Sequence, residues 1–136
     1  MSQVSIRAAL ETALAAMTPA ITTSWENVSF VPPASSVPYQ AAYLLFATPD
    51  NPTFGNKYHR ENGIFQVSLN YPLQAGDSAA RTRAELIRTT FYRGASFASG
   101  GVTVTIEKTP EITSGTPDGD RWMVAVKIRF YASIIT

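Results

Sequence analysis

Residues 2–17 follow a helical pattern of apolar and polar positions. Apolar side chains recur at three- and four-residue intervals and would align in one stripe, made of Ile6, Leu10, Ala13, Leu14 and Met17. Ser2 can cap the helix because its hydroxyl can accept a hydrogen bond from an N–H group of the first turn. Thr18-Pro19 is expected to end the helix, since the residue before a proline avoids the α region. The pattern predicts an amphipathic helix with one buried face.

The chain then changes to extended patterns. Residues 21–30 form a short segment in which Trp25 and Val28 are candidate buried anchors. Three prolines lie between positions 32 and 38, and because proline cannot donate a backbone hydrogen bond, this stretch is predicted to be an extended loop. Residues 40–47 are apolar and aromatic, which predicts a well-buried strand.

Turn-forming residues fill positions 48–56, and a second turn signal follows at Asn62-Gly63. The Asn-Gly pair tolerates positive φ angles and is the strongest short signal for a hairpin. Residues 57–61 and 64–71 would be the two arms of that hairpin. One face of the second arm is predicted to be buried, because apolar side chains occupy every second position, at Phe65, Val67, Leu69 and Tyr71.

A second amphipathic helix is predicted to run from a cap at Asp77 or Ser78 to about Arg93, with Gly94 at its C-terminal end. Its inner stripe would consist of Ala80, Ala84, Ile87 and Phe91. Residues of this stripe would pack against the same core as the first helix.

The rest of the chain predicts two more strands separated by loops. Small residues at 95–101 predict a loop, the alternation over 102–106 predicts a strand, and turn residues at 109–120 predict a second, longer loop. The last strand is predicted to begin near Arg121. Its buried face would carry Trp122, Val124, Val126, Ile128 and Phe130. Its other face would carry Met123, Ala125, Lys127, Arg129 and Tyr131.

The predicted order of elements is α-β-β-β-β-α-β-β, with hairpins. This order indicates an α+β fold, in which two helices pack on one face of a mostly antiparallel, mixed β-sheet. The 136 residues suffice for a single domain over residues 1–136 and are too few for two of ordinary size. A domain of this length buries enough surface to fold without disulfides, and the chain contains no cysteine.

The composition is poor in charge. Charged residues make up 15% of the chain, which is low for a soluble domain and favours a surface partly covered by copies of itself or by partners. The net charge of +1 provides no bulk attraction to nucleic acid or to an anionic membrane. No apolar run approaches the ~20 residues of a membrane span, and the N-terminus lacks the pattern of a signal peptide. We therefore expect a protein that is made and used in the cytoplasm.

The sequence offers little catalytic chemistry. His59 is the only histidine, and without cysteines it cannot assemble a zinc site. A serine nucleophile would require a Gly-x-Ser-x-Gly elbow, which is missing. Asp118-Gly119-Asp120 lacks the distal glutamate of a calcium loop, and Gly100-Gly101 precedes a strand, where it cannot cradle a phosphate. We expect no catalytic residue, no metal and no cofactor.

The second helix carries a row of basic residues, which are Arg81, Arg83, Arg88 and Arg93. Such a row can bind the phosphates of a nucleic acid, but Glu85 interrupts it and can pair with both Arg81 and Arg88. No aromatic residues are interleaved to stack on bases. A helix face that is solvated or faces another subunit is the favoured interpretation.

Two loops are long for a domain of this size, at residues 49–56 and 109–120, and loops of that length are often functional or disordered. The first carries Phe54, an aromatic residue with no evident core partner. A protein that assembles could use these loops to reach a neighbouring subunit.

Several stretches resemble the lambda-like phage tail-terminator group, and more closely a set of short phage proteins described as a domain of unknown function. The run from Ile6 to Leu14 is similar to the opening helix of that group. The likeness covers nearly the whole chain and continues through residues 49–55, 60–67, 71–76, 84–88, 97–102 and 118–121. These motifs are structural, and none of them is catalytic.

The resemblance implies an α+β protein that forms a homohexameric ring on the end of the tail tube. The ring would stop tube polymerisation and present a surface to the head. Its partners would be copies of itself, the tail tube protein and the head–tail connector protein, with no membrane and no specific nucleic acid. It would act without a reaction or a cofactor, in the tail of the virion, after assembly in the cytoplasm of the bacterial host.

We place the contacts of such a ring in the two long loops. The residues expected to face another subunit or the tube are Asp50, Asn51, Phe54, Asn56, Glu111, Asp118, Asp120 and Arg121. Two other functions remain open: a head-completion or neck protein, which also forms rings, and a small nucleic-acid-binding domain whose binding would fall steeply with salt. An enzyme would require a pair of buried carboxylates that the sequence does not identify.

Overall fold

The computed structural model describes residues 2–135 of the chain. Over these residues it contains two helices and eight strands. In chain order they are α1 (Ser2–Ala15), β1 (Thr22–Ser24), β2 (Tyr39–Phe46), β3 (Tyr58–Pro72), α2 (Ser78–Thr90), β4 (Ser96–Ser99), β5 (Val102–Ile106), β6 (Glu111–Ile112), β7 (Thr116–Asp118) and β8 (Arg121–Ile135).

The strands form one mixed sheet that curls into a half-barrel. Its order is β1-β2-β3-β8-β5-β4, and β6 and β7 pair with the remainder of the β8 edge. Only β1 and β2 run parallel, and the other pairs are antiparallel. α1 contacts β4 and β5, α2 contacts β3 and β8, and both helices bury their apolar stripes in the same core. The predicted α+β fold, with two helices on a mostly antiparallel sheet, is confirmed.

The centre of the sheet is a long ladder between β3 and β8. Each strand has 15 residues, and the pairing is continuous from Tyr58 opposite Ile135 to Pro72 opposite Arg121. At about 3.3 Å per residue the ladder spans roughly 45 Å. Its helix-facing side is buried, as the alternation predicted, through Phe65, Val67, Leu69, Val124, Val126, Ile128 and Phe130. The ladder therefore separates two ends of the molecule by most of its length.

The predicted hairpin at Asn62-Gly63 is wrong. β3 runs straight through both residues, with Asn62 opposite Tyr131 and Gly63 opposite Phe130. Gly63 also lies opposite Phe46, and a Cβ atom on it would overlap the Leu45 carbonyl oxygen. The glycine is needed because neighbouring backbone and an aromatic ring approach it closely, and no turn occurs there.

Two predicted loops contain short strands. Residues 96–99 form β4, which pairs with β5, and the 109–120 segment contains β6 and β7, which pair with β8. These strands have two to four residues, too few for an alternating pattern to be visible in the sequence. Phe97 of β4 also packs against Phe91, with 5.1 Å between ring centroids. The segment after α2 thus completes the sheet.

The ends of the predicted elements need smaller corrections. Val28 is 58% exposed, so it is no core anchor, whereas Trp25 is half-buried against the core. α2 ends at Thr90, before the predicted Arg93, because the chain turns toward β5 and the N–H of Gly94 donates to the carbonyl of Ile106. The inner stripe of α2 is buried as predicted.

Candidate assembly surfaces

Four of the predicted contact residues lie together in the connection between β2 and β3. Asp50, Asn51, Phe54 and Asn56 are all exposed, and Phe54 is the extreme case at 104% of its reference accessibility. The base of the connection is fixed, since Asp50 and Arg60 exchange two backbone hydrogen bonds of 2.9 Å. We call this region, residues 47–57 with the start of β3 and the end of β8, the Phe54 end.

A groove of about 510 Å³ adjoins the Phe54 end on the sheet face away from the helices. The Arg60 guanidinium stacks over the Tyr131 ring there, with 3.8 Å from its central carbon to the ring centroid. Arg129, Asp50 and Glu107 also line the groove, so both signs of charge are present. The groove suits polar contacts with a protein surface better than the binding of a small apolar ligand.

Asp118 and Asp120 lie at the opposite end of the ladder, at the tip of the hairpin between β7 and β8. Asp118 pairs with Arg121, which leaves a two-residue turn of Gly119 and Asp120. Gly119 has a φ of +62°, a left-handed conformation that favours glycine in such turns. Both aspartates are exposed. We call this hairpin, with the start of β8 and the residues that follow β3, the Trp122 end.

The Trp122 end also contains an apolar notch of about 430 Å³, formed by Leu73, Pro117 and Trp122 with neighbouring parts of Gln74, Gly76 and Asp77. The Trp122 indole N–H donates to Asp77 at 2.8 Å, and Arg81 donates to the same carboxylate at 3.1 Å. These two bonds, the indole first, hold the pKa of Asp77 below its ordinary value of 3.8. The indole is therefore fixed in place by a carboxylate that is charged at neutral pH.

Arg121 has an internal role, unlike the other predicted contact residues. Its side chain is buried, and its guanidinium donates to the carbonyl oxygens of Pro33 at 2.8 Å, Ala34 at 3.0 Å and Val37. It also lies over the Tyr39 ring, 4.9 Å from the centroid. Arg121 holds the proline-rich loop onto the sheet, so it is committed within its own chain.

Glu111 is separate from both ends. It lies in β6 opposite Lys127, near the middle of β8, and its side chain is exposed. The eight predicted residues therefore do not form one surface. The structure brings them together as a Phe54 end and a Trp122 end, with Glu111 between them.

A family model described as phage tail terminator protein matches residues 5–130. The chain belongs to the phage tail terminator family. This confirms the resemblance, and the match spans all eight predicted contact residues. Membership makes the protein a structural component of phage tails.

A solved structure supports the same fold for the family member. That structure, of a protein whose name describes no function, has a TM-score of 0.77 and 28% sequence identity, over 97% of this chain and 96% of the other. No curated protein matches the sequence. The likeness to the solved structure therefore adds weight to the fold and leaves the role to the family match.

The arginines of α2 in this terminator family member are largely occupied. Glu85 was expected to pair with Arg81 and Arg88, but Arg81 instead binds Asp77, one turn earlier, and Arg88 donates to the Pro110 carbonyl at 3.1 Å. The pairing differs because the 109–115 segment packs beside α2 and offers fixed carbonyl groups. Both guanidinium groups hold that segment, since Arg81 also donates to the Thr113 carbonyl at 3.1 Å.

Arg83 is also unavailable to a nucleic acid. It is buried, and it donates to the Pro19 carbonyl. Burial lowers the pKa of its guanidinium, and nearby Tyr71 partly offsets that effect. Of the four predicted basic residues, Arg93 alone is exposed at the surface, while Arg81 and Arg88 are half-buried. The row does not form a continuous surface for phosphates.

His59 lies near the start of β3 and is partly exposed. Its Nε2 is 3.4 Å from Glu61, a buried carboxylate that also accepts a hydrogen bond of 3.4 Å from Gln3. Within residues 2–135, no group of three or more His, Cys, Asp or Glu side chains is placed to hold a metal ion. Across the same residues, neither helix is long and apolar enough to cross a membrane.

Proposed function

We propose that the protein caps the phage tail tube as a ring of identical copies, stops polymerisation of the tube there and presents its outer surface for joining to the head. The observation that carries this proposal is the family match over residues 5–130. The ring contains six copies, as the resemblance to the lambda-like group implies. The protein needs no reaction and no cofactor, and it is assembled into the tail in the host cytoplasm.

The shape of the molecule supports a role in assembly. The Phe54 end and the Trp122 end are both exposed, they differ in chemistry, and a ladder of roughly 45 Å separates them. A ring requires such a pair of unlike surfaces on each copy, because each copy must contact one neighbour with one surface and the next neighbour with the other. The tail tube and the head connector would contact surfaces that remain free in the ring.

The neck alternative predicts a different site of binding. A neck protein would bind DNA-filled heads, whereas a terminator binds the growing end of the tube. Nucleic-acid binding is disfavoured because all three arginines of α2 are used within the chain.

The test is to add purified protein to tail tube protein that is polymerising on tail initiators. We expect labelled protein at one end of each tube and no further elongation when more tube protein is added. Tubes that continue to grow at the normal rate, together with label on DNA-filled heads, would move the protein to the neck. The matched control uses tubes whose growing end has been blocked beforehand, and these tubes should bind no labelled protein.

A further inference from the structure

We infer that Phe54 of one copy inserts into the notch formed by Leu73, Pro117 and Trp122 of a second copy. This contact rests on the proposed ring and specifies how neighbouring copies hold one another. It joins an exposed aromatic residue at the Phe54 end to an apolar recess at the Trp122 end.

The Phe54 side chain is available for contact with another molecule. Its side chain is fully exposed, and it projects from a connection whose neighbours Asn51, Thr53 and Asn56 are polar and also exposed. The base of that connection is tied to β3 by the paired hydrogen bonds of Asp50 and Arg60. Large aromatic residues supply much of the binding energy where they fill a pocket on a partner.

The notch is formed before any partner arrives. The bond from the Trp122 indole to Asp77 fixes the ring, and the backbone at Gly115 lies so close to the indole that a Cβ atom there would overlap it. Leu73 is still 38% exposed and Pro117 is also exposed, so the recess is open to solvent. A preformed apolar recess binds with less loss of side-chain freedom than one that must be ordered.

The positions of the two features decide the kind of contact. Phe54 and the notch lie at opposite ends of the β3–β8 ladder, so Phe54 cannot reach the notch of its own chain. An apolar knob that fits a recess elsewhere on the same molecule produces head-to-tail association, which closes into a ring when the rotation per copy permits. In such a ring the ladder of each copy would run from one neighbour to the next.

Charge agrees with this pairing. Lys57 is exposed three residues beyond Phe54, while exposed Asp120 lies at the tip of the hairpin that contributes Pro117 and Trp122 to the notch. Asp50, one of the acids near the Phe54 end, already accepts a hydrogen bond of 3.4 Å from Asn62. Opposite charges around an apolar contact favour the correct partner and the correct orientation.

The natural chain contains no cysteine, which permits a direct test by disulfide trapping. The double variant Thr53→Cys with Gln74→Cys, which keeps Phe54 and the apolar residues of the notch, should, under mild oxidation, give a gel ladder of covalent oligomers under non-reducing conditions. Each single variant should give no species beyond a dimer. The matched control is Thr53→Cys with Tyr92→Cys, because Tyr92 is 60% exposed and lies outside the notch.

A gel ladder in the 53/74 variant and none in the 53/92 control would support the contact. Equal gel ladders in both double variants, or a gel ladder in neither, would overturn the proposed contact. If no gel ladder forms while native mass spectrometry shows a ring of the natural chain, the proposed contact is wrong and the ring stands. If the gel ladder forms but phage lacking the gene make tails of normal length, the proposed contact stands and the terminator role is wrong.

A second measurement uses non-covalent association and avoids oxidation. Phe54→Ala removes the knob, and we expect it to raise the self-association Kd by about 30-fold or more. Leu73→Arg should block the notch at a position that is already partly exposed. Each variant alone should sediment as a monomer, and an equal mixture should contain one-to-one dimers, since one intact knob still meets one intact notch. A mixture that stays monomeric contradicts the pairing.

Discussion

Gly63→Ala is expected to reduce the free energy of unfolding by about 3 kcal/mol, because the new methyl group has no room. Gly63 lies in the middle of β3, between β2 and β8. A Cβ atom would overlap the carbonyl oxygen of Leu45 and lie 3.1 Å from the Phe130 ring. The obstructing group is backbone in a paired strand, so it cannot move without breaking the ladder. Urea unfolding followed by tryptophan fluorescence measures the change.

The matched control for this substitution is Gly76→Ala. Gly76 has open space around its Cβ position but a φ of +84°, so alanine there encounters backbone strain and no clash. That strain costs about 1–2 kcal/mol. Equal losses at the two positions would show that Gly63 is not held by close packing.

Arg121→Met should destabilise the protein by about 2–3 kcal/mol, since several charge-assisted hydrogen bonds are lost at once. The methionine keeps much of the apolar stem of the arginine but cannot bind the carbonyls of Pro33, Ala34 and Val37. We also expect faster hydrogen exchange in residues 31–37, because the loop loses its attachment to the sheet.

Arg93→Met removes an exposed arginine from the same chain and is the control for charge alone. It should change stability by less than about 0.5 kcal/mol. Exchange in residues 31–37 that stays slow in the Arg121 variant would contradict the structural role of Arg121.

The periodic parts of the fold could be predicted from the sequence. The stripe on α2 and the alternation on β8 each follow from one face being buried over more than ten residues, and burial confirms both. The hairpin predicted at Asn62-Gly63 was wrong because a glycine suits two situations equally well. It permits a tight turn, and it also permits a neighbouring strand to approach the backbone closely. Only the neighbouring strands, which lie far away in sequence, decide between the two.

The assembly surfaces could be predicted only in part. Phe54 stands out in the sequence because it is an aromatic residue among turn residues, and the structure confirms that it is exposed. The notch was missed, since it is assembled from Leu73, Pro117 and Trp122, which come together only through the β3–β8 and β7–β8 pairings. Arg121 was misplaced because its partners are backbone carbonyls, which leave no trace in the sequence.

The proposed ring depends on the β3–β8 ladder, which sets the positions of the two contact surfaces in each copy. Pairing over 15 residues is continuous, and it sets the distance between the two ends. A ring that closes at one subunit number needs such fixed geometry in every copy. Substitutions that disturb the ladder, such as Gly63→Ala, should therefore impair assembly through the fold, while Phe54→Ala should impair assembly and leave stability unchanged.

The most direct test of the terminator role is electron microscopy of particles made by phage that lack this gene. We predict tails of overlong and variable length without heads, because the tube would no longer receive its stop signal. Restoring the natural gene from a plasmid should restore uniform tails joined to heads. Tails of normal length beside unattached or leaking heads would contradict the terminator role and assign the protein to the neck.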